Sequence, residues 1–219
     1  MNGGDVLREL QRRIEALHGS SGTPDVRTFV VDDSARGAIA GGRPDVPEQL
    51  FVRQDPTDPD GLELALYIAP RIVDRLAGDD PHQRLHAGNL EGYWVALEGV
   101  SHFVLVVARA NSGRPVTALE LEIQAEVDKF VAAWRLLSEQ GVRPELAARQ
   151  LMQRLFGHYT LAEPMPRDEA DRYNVATRVA QRFCADLAHD FGRDHDQTRA
   201  QHAVQRFVRQ DIVEKLRAA

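Results

Sequence analysis

The sequence is poor in the residues that make functions easy to read. It holds a single cysteine, Cys184, so no intramolecular disulfide is possible and a disulfide-stapled secreted scaffold is excluded. A lone thiol fits a reducing compartment. The opening MNGGDVLREL has no basic stretch followed by an apolar one, so no signal peptide is read there and the expected location is cytoplasmic. No apolar run approaches the roughly 20 residues of a membrane-spanning helix. The most apolar, Val100 to Ala110, is interrupted by Ser101, His102 and Arg109, and is expected to be a core helix with no membrane partner.

Chemical signatures are equally scarce. There is no phosphate-cradling glycine loop, nucleophile elbow, CxxC pair, HExxH or calcium-loop string. Gly41-Gly42 runs into Arg43-Pro44 without the rest of any nucleotide fingerprint. Aromatics are 6% of the chain, and 33 acidic against 27 basic residues give a net charge of −6. Phosphate binding draws most of its energy from clustered Lys and Arg, so nucleic acid is not the expected partner.

What is present is hydrophobic patterning. With 43% hydrophobic residues over 219, the chain can bury a sizeable core. Val6, Leu10, Ile14 and Leu17 recur at helical spacing, predicting a helix over Asp5 to His18 that Gly19-Ser20-Ser21-Gly22 ends. The period then changes. Val26 to Val31 and Gln49 to Arg53 are short strand candidates rich in β-formers. Leu62, Leu64, Leu66 and Ile68 alternate with Glu63, Ala65 and Tyr67, which is the strongest strand signal in the chain. Ser34 to Pro47, with its glycines and prolines, is expected to be a mobile loop.

From Pro70 onward the pattern is helical: Arg71 to Ala77, Asn89 to Ala110, Val116 to Gln140, Pro144 to Phe156, Asp168 to Phe191 and Thr198 to Arg217. Thr117 and Glu120 have capping-box spacing, and Gly141 stands where a C-cap glycine belongs. The expected fold is α+β, mainly α: a single domain over 1–219. Residues 1–69 carry a helix and a small antiparallel β-element, and 70–219 form a helical body.

The candidate site comes from two helices joined by the short turn at Asn111 to Arg114, read as antiparallel neighbours. Glu98 and His102 lie four apart on the apolar first helix, in a stripe with Glu91 and Arg109. On the second, Glu126 falls inside the apolar face of Ile123, Val127, Phe130 and Trp134, with Glu122 on its edge one turn earlier. Antiparallel packing would bring His102 level with Gln124, between those two acids. Charges in a core need partners. One explanation is a divalent-metal site (Fe, Mn or Zn) on His102, Glu98, Glu122 and Glu126, or acid/base catalysis by His102, Glu98 and Glu126. The Glu-x-x-x-His spacing and single histidine depart from the di-metal carboxylate pattern of helical bundles. The other explanation, preferred here, is a structural polar network needing no cofactor, balanced by Arg109 and Lys129.

Other groupings carry less. His82 and His86 read as a surface pair, His189-Asp190 and Asp194-His195-Asp196 as a polar turn, and His158-Tyr159 as a loop. Cys184 reads as a packed thiol. Arg172, Arg178, Arg182, Arg199, Arg206 and Arg209 are interleaved with acids and read as solvated faces. Val204, Val208, Ile212 and Leu216 make the last helix amphipathic, docked by default. EGVSHF and LELEIQAEVDKF have the density of motifs but resemble no characterised family. The expected function is a protein-interaction or assembly module, with a protein partner or self-association. A small metal-dependent or acid/base enzyme is the alternative.

Overall fold

A computed structural model describes residues 2–54, 61–157, 166–191 and 197–217. The chain gathers into two compact units, Met1–Ala16 with Ser20–Pro115, and Leu17–Gly19 with Val116–Ala219. The fold is mainly helical, with a small sheet confined to the first unit.

Helix α1 (Gly3–His18) opens the chain, and its Val6, Leu10 and Ile14 are fully buried. Three strands follow, β1 (Val30–Val31), β2 (Glu48–Gln54) and β3 (Leu62–Ile68), in the spatial order β1-β3-β2. β2 and β3 pair antiparallel as expected, Glu48 opposite Ile68 through Gln54 opposite Leu62. β1 runs parallel to β3, so the sheet is mixed rather than purely antiparallel.

The strand expected over Val26 to Val31 is mostly a 3-10 turn, Val26–Phe29. Pro24-Asp25 decides this locally: the Asp25 carboxylate accepts from Arg27 N–H, and Asp25 C=O accepts from Thr28 N–H at 3.1 Å and from the Thr28 hydroxyl at 2.8 Å. Such side-chain turns compete with β-pairing whatever the β-propensity of the residues. Gln11 then fixes the segment from α1. Fully buried, it accepts from Val26 N–H at 2.9 Å and donates to Pro24 C=O at 2.8 Å.

The loop expected over Ser34 to Pro47 contains a short helix and is tied to the sheet at a few points, with none of its residues buried. Asp32 caps a short helix α2 (Asp33–Ala38) by accepting from Ala35 N–H at 2.8 Å. From α2 the Arg36 guanidinium lies over the Tyr67 ring, 4.0 Å from its centre, and donates to Arg43 C=O and Val46 C=O. Tyr67 itself donates to Asp33 at 2.8 Å. This cover explains why Tyr67 is only 2% exposed although the alternation placed it on a wetted face.

The other sheet face takes α4 (Leu90–Asn111), which follows α3 (Pro70–Gly78) and packs against it. Asn89 does not cap α4 with its side chain. It is buried and holds the preceding loop instead, donating to Arg84 C=O at 2.9 Å and accepting from His86 N–H at 2.9 Å. Gly99 lets the helix approach the sheet: a Cβ there would stand 2.9 Å from Glu48 Oε2 and 3.0 Å from Leu66 Cδ1. Among the described residues α4 is the one helix long and apolar enough to cross a membrane, but 72% of that stretch is buried inside the protein.

In the second unit α5 (Ala118–Glu139) is the central element, buried nearly all round and packed on α6 (Pro144–Phe156) and α7 (Arg167–Phe191). The expected capping box is formed at Thr117 and Glu120, and Gly141 follows the helix end with φ +85°. Ala176, Val179, Ala180, Cys184 and Leu187 of α7 are all buried, at helical spacing. The last predicted helix is two: α8 (Gln197–Arg209) and α9 (Ile212–Arg217). Asp211 restarts it with a reciprocal pair, Asp211 Oδ1 accepting from Glu214 N–H and Glu214 Oε2 from Asp211 N–H.

Candidate functional site

The four residues singled out by sequence are divided between the units. Glu98 and His102 stand on consecutive turns of α4, with a carboxylate oxygen of one within 4.8 Å of a ring nitrogen of the other. His102 is 7% exposed, as expected of an inward-facing residue, and Glu98 is half-buried. On α5, Glu122 and Glu126 are both buried, at 8% and 6%. The Glu126 carboxylate is bound by Lys129 one turn on, a short buried ion pair that takes up ligand capacity. The balancing role foreseen for Lys129 is therefore real.

A second polar cluster was missed. In the second unit, a continuous chain of hydrogen bonds runs through four side chains, each at most 3% exposed. His18 Nε2 meets Asp128 Oδ2 at 2.8 Å, Gln124 Nε2 donates to Asp128 Oδ1 at 2.9 Å, and Lys215 Nζ donates to Gln124 Oε1 at 3.1 Å. The Lys215 ammonium also rests 4.7 Å from the centre of the Phe207 ring, which stacks on Phe183. His18 Nδ1 meets no hydrogen-bond partner among the described residues.

The sequence hid this chain for two reasons. Asp128 and Gln124 are ordinary polar letters on a helix with so broad a buried surface that no side is left for solvent. Lys215 was not singled out, because α8 and α9 were expected as one helix over Thr198 to Arg217. The Asp211-x-x-Glu214 spacing was the available signal.

Cys184 is fully buried beside this region, and burial, then the charges of Glu126 and Asp128, push its thiol pKa well above the usual value. It is a packed thiol, not a nucleophile. His82 is not on the surface: its side chain is 10% exposed, 3.1 Å from Asp80 and edge-on to Tyr93, and burial holds its pKa below the usual histidine value. His86 is exposed and pairs with Asp79. Arg178, Arg182, Arg206 and Arg209 are exposed, in line with solvated faces. His158-Tyr159 and Asp194-His195-Asp196 lie outside the described residues. No family model, curated protein or solved structure matches the chain.

Proposed function

We propose that the protein is a non-enzymatic assembly module that self-associates edge to edge through β2. One observation carries this reading. β2 is a seven-residue edge strand, paired with β3 on one side only among the described residues, and its Val52 is 49% exposed. Unpaired strand edges are templates for a further strand.

The sequence of β2 suits a second copy of itself. An antiparallel twofold centred on Phe51 sets Phe51 against Phe51, Leu50 against Val52, Gln49 against Arg53 and Glu48 against Gln54. Aromatic and aliphatic pairs meet, and no like charges oppose. The polar chain of the second unit supports the non-enzymatic half of the reading: its linked side chains are buried and bond to one another.

Sedimentation over a concentration series tests the proposal. The native chain should dimerise, and Val52→Lys should weaken the dimer about tenfold or more, since the twofold repeats the lost apolar contact. Residues facing each other across such an axis lie within disulfide reach. Phe51→Cys with Cys184→Ala should therefore cross-link under mild oxidation. A monomer at every concentration, with no cross-link, refutes self-association.

A second reading, favoured by the closeness of Glu98 and His102, is a divalent-metal centre using that pair as a carboxylate–imidazole clip. Metal analysis of untagged protein decides it. Stoichiometric Fe, Mn or Zn that is lost in His102→Ala supports it, and metal-free native protein ends it.

A further inference from the structure

Between α1, the 3-10 turn, β1 and α3 lies an open cleft of about 400 Å³, wholly within the first unit and distinct from every residue discussed above as a site. Its floor is apolar, formed by Leu7, Val31, Ile68 and Val73, and its rim carries Asp32 and Asp74. It lies at the C-terminal ends of the parallel pair β1 and β3. The volume lies in the range of small-molecule sites.

The charge around the rim selects the ligand. Arg27 also lines the cleft, but its guanidinium is held bidentate by Asp25, at 3.0 and 2.6 Å, with Asp5 a further 3.9 Å away. It is not a cation waiting for an anion. At the helix ends, α3 begins with Pro70, which has no N–H, and the Asp5 N–H at the start of α1 is taken by Asn2 Oδ1. Asp74 makes no ion pair among the described residues, and Asp32 uses one oxygen on its helix cap. The rim is therefore net acidic above an apolar floor.

We propose that this cleft binds a small organic ammonium with an apolar body, its ring or chain on the floor and its charge at Asp32 and Asp74. This goes beyond self-association, since β2 takes no part in the cleft.

The test is titration of the full chain while following the methyl NMR signals of Leu7, Val31, Ile68 and Val73. The probes are 2-phenylethylamine, 3-phenylpropionate of similar shape and opposite charge, and ethanolamine, which has the charge without the apolar body. The aromatic amine should shift these methyls saturably, and the other two should not. Nα-acetyl-lysine amide separates sources: tighter binding than phenylethylamine assigns the cleft to a protein side chain, weaker binding to a free amine, and either upholds an apolar cation.

Asp74→Asn and Asp32→Asn should each weaken the amine about three- to fivefold, as expected for rim charges in solvent. Asparagine keeps the cap at position 32. Asp74→Lys, at an exposed helical position, should reverse the preference toward the carboxylate. Unsaturable shifts, equal binding of amine and carboxylate, or an unchanged amine affinity in Asp74→Lys would each overturn the proposal.

Discussion

Removing the Asp128 carboxylate should be among the most destabilising single changes in the second unit. The carboxylate accepts from Gln124, meets His18 Nε2, and is the acid end of the chain whose basic end is Lys215, all at or near zero exposure. Asp128→Ala strands two polar groups and leaves a buried ammonium without the acid in its chain. Breaking a buried pair by deleting one partner costs about 3–5 kcal/mol. Asp128→Asn keeps the acceptor for Gln124 but turns an amide toward His18. It should cost about 1–3 kcal/mol, the range for one compromised buried hydrogen bond. Lys215→Met removes the charge and keeps the apolar stem over Phe207. Combined with Asp128→Asn it should be less harmful than the sum of the two, with a coupling of about 0.5 kcal/mol or more through Gln124. Urea unfolding read from Trp134, with Trp94 replaced by Phe, places the probe in the second unit. An Asp128→Ala loss below about 0.5 kcal/mol, the range of ordinary surface effects, would refute the reasoning.

Four further outcomes concern the first unit. Gly99→Leu should cost about 1–3 kcal/mol in thermal or urea unfolding by wedging α4 off the sheet. Gly99→Ala should stay within about 1 kcal/mol of native, because Glu48 can swing aside and alanine favours the helix. Arg36→Ala should make 38–47 the first site of limited proteolysis, since that side chain ties the segment to Tyr67, Arg43 and Val46. His82 binds its proton less readily folded than unfolded, so its contribution to stability is present above the unfolded value of 6.5 and is lost as pH falls from there toward the lowered folded pKa. His82→Gln should flatten the native stability slope over that window, and an unchanged slope would refute the assignment.

The elements legible in the sequence were those whose periodicity is uninterrupted. β3 spans the residues its alternation marks, and α6 spans the predicted Pro144 to Phe156. α5 has the expected capping box. Burial along β3 was not legible in the same way. Alternation assigns two faces, but the covers differ: Leu62 is 36% exposed, and Tyr67 is covered by Arg36 from α2. Around Val26 and around Ser34, single aspartates outweighed composition. Asp25 and Asp32 each turn a β-branched or glycine-rich stretch into a capped helical turn by one carboxylate–amide bond.

The candidate site shows the same limit at the level of charge. Helical angles placed Glu126 inside an apolar face with Glu122 on its edge, and set Glu98 and His102 in one stripe; all but half-buried Glu98 are buried, but angles do not tell which acid already has its cation. Lys129 holds Glu126 from one turn away, so one acid of the predicted cluster already has its cation. The C-terminus makes the point more sharply. A continuous helix would carry Val208, Ile212 and Leu216 on one buried stripe. The restart at Asp211 changes the register, leaving Leu216 41% exposed and Lys215 at 0%. One capping box thus exchanges an expected apolar contact for a buried ammonium that needs Gln124 and, through it, Asp128. The conspicuous acids of α5 and the inconspicuous lysine of α9 belong to one argument: where a helix is buried on every side, its polar residues are read by what they bind rather than by the face they occupy.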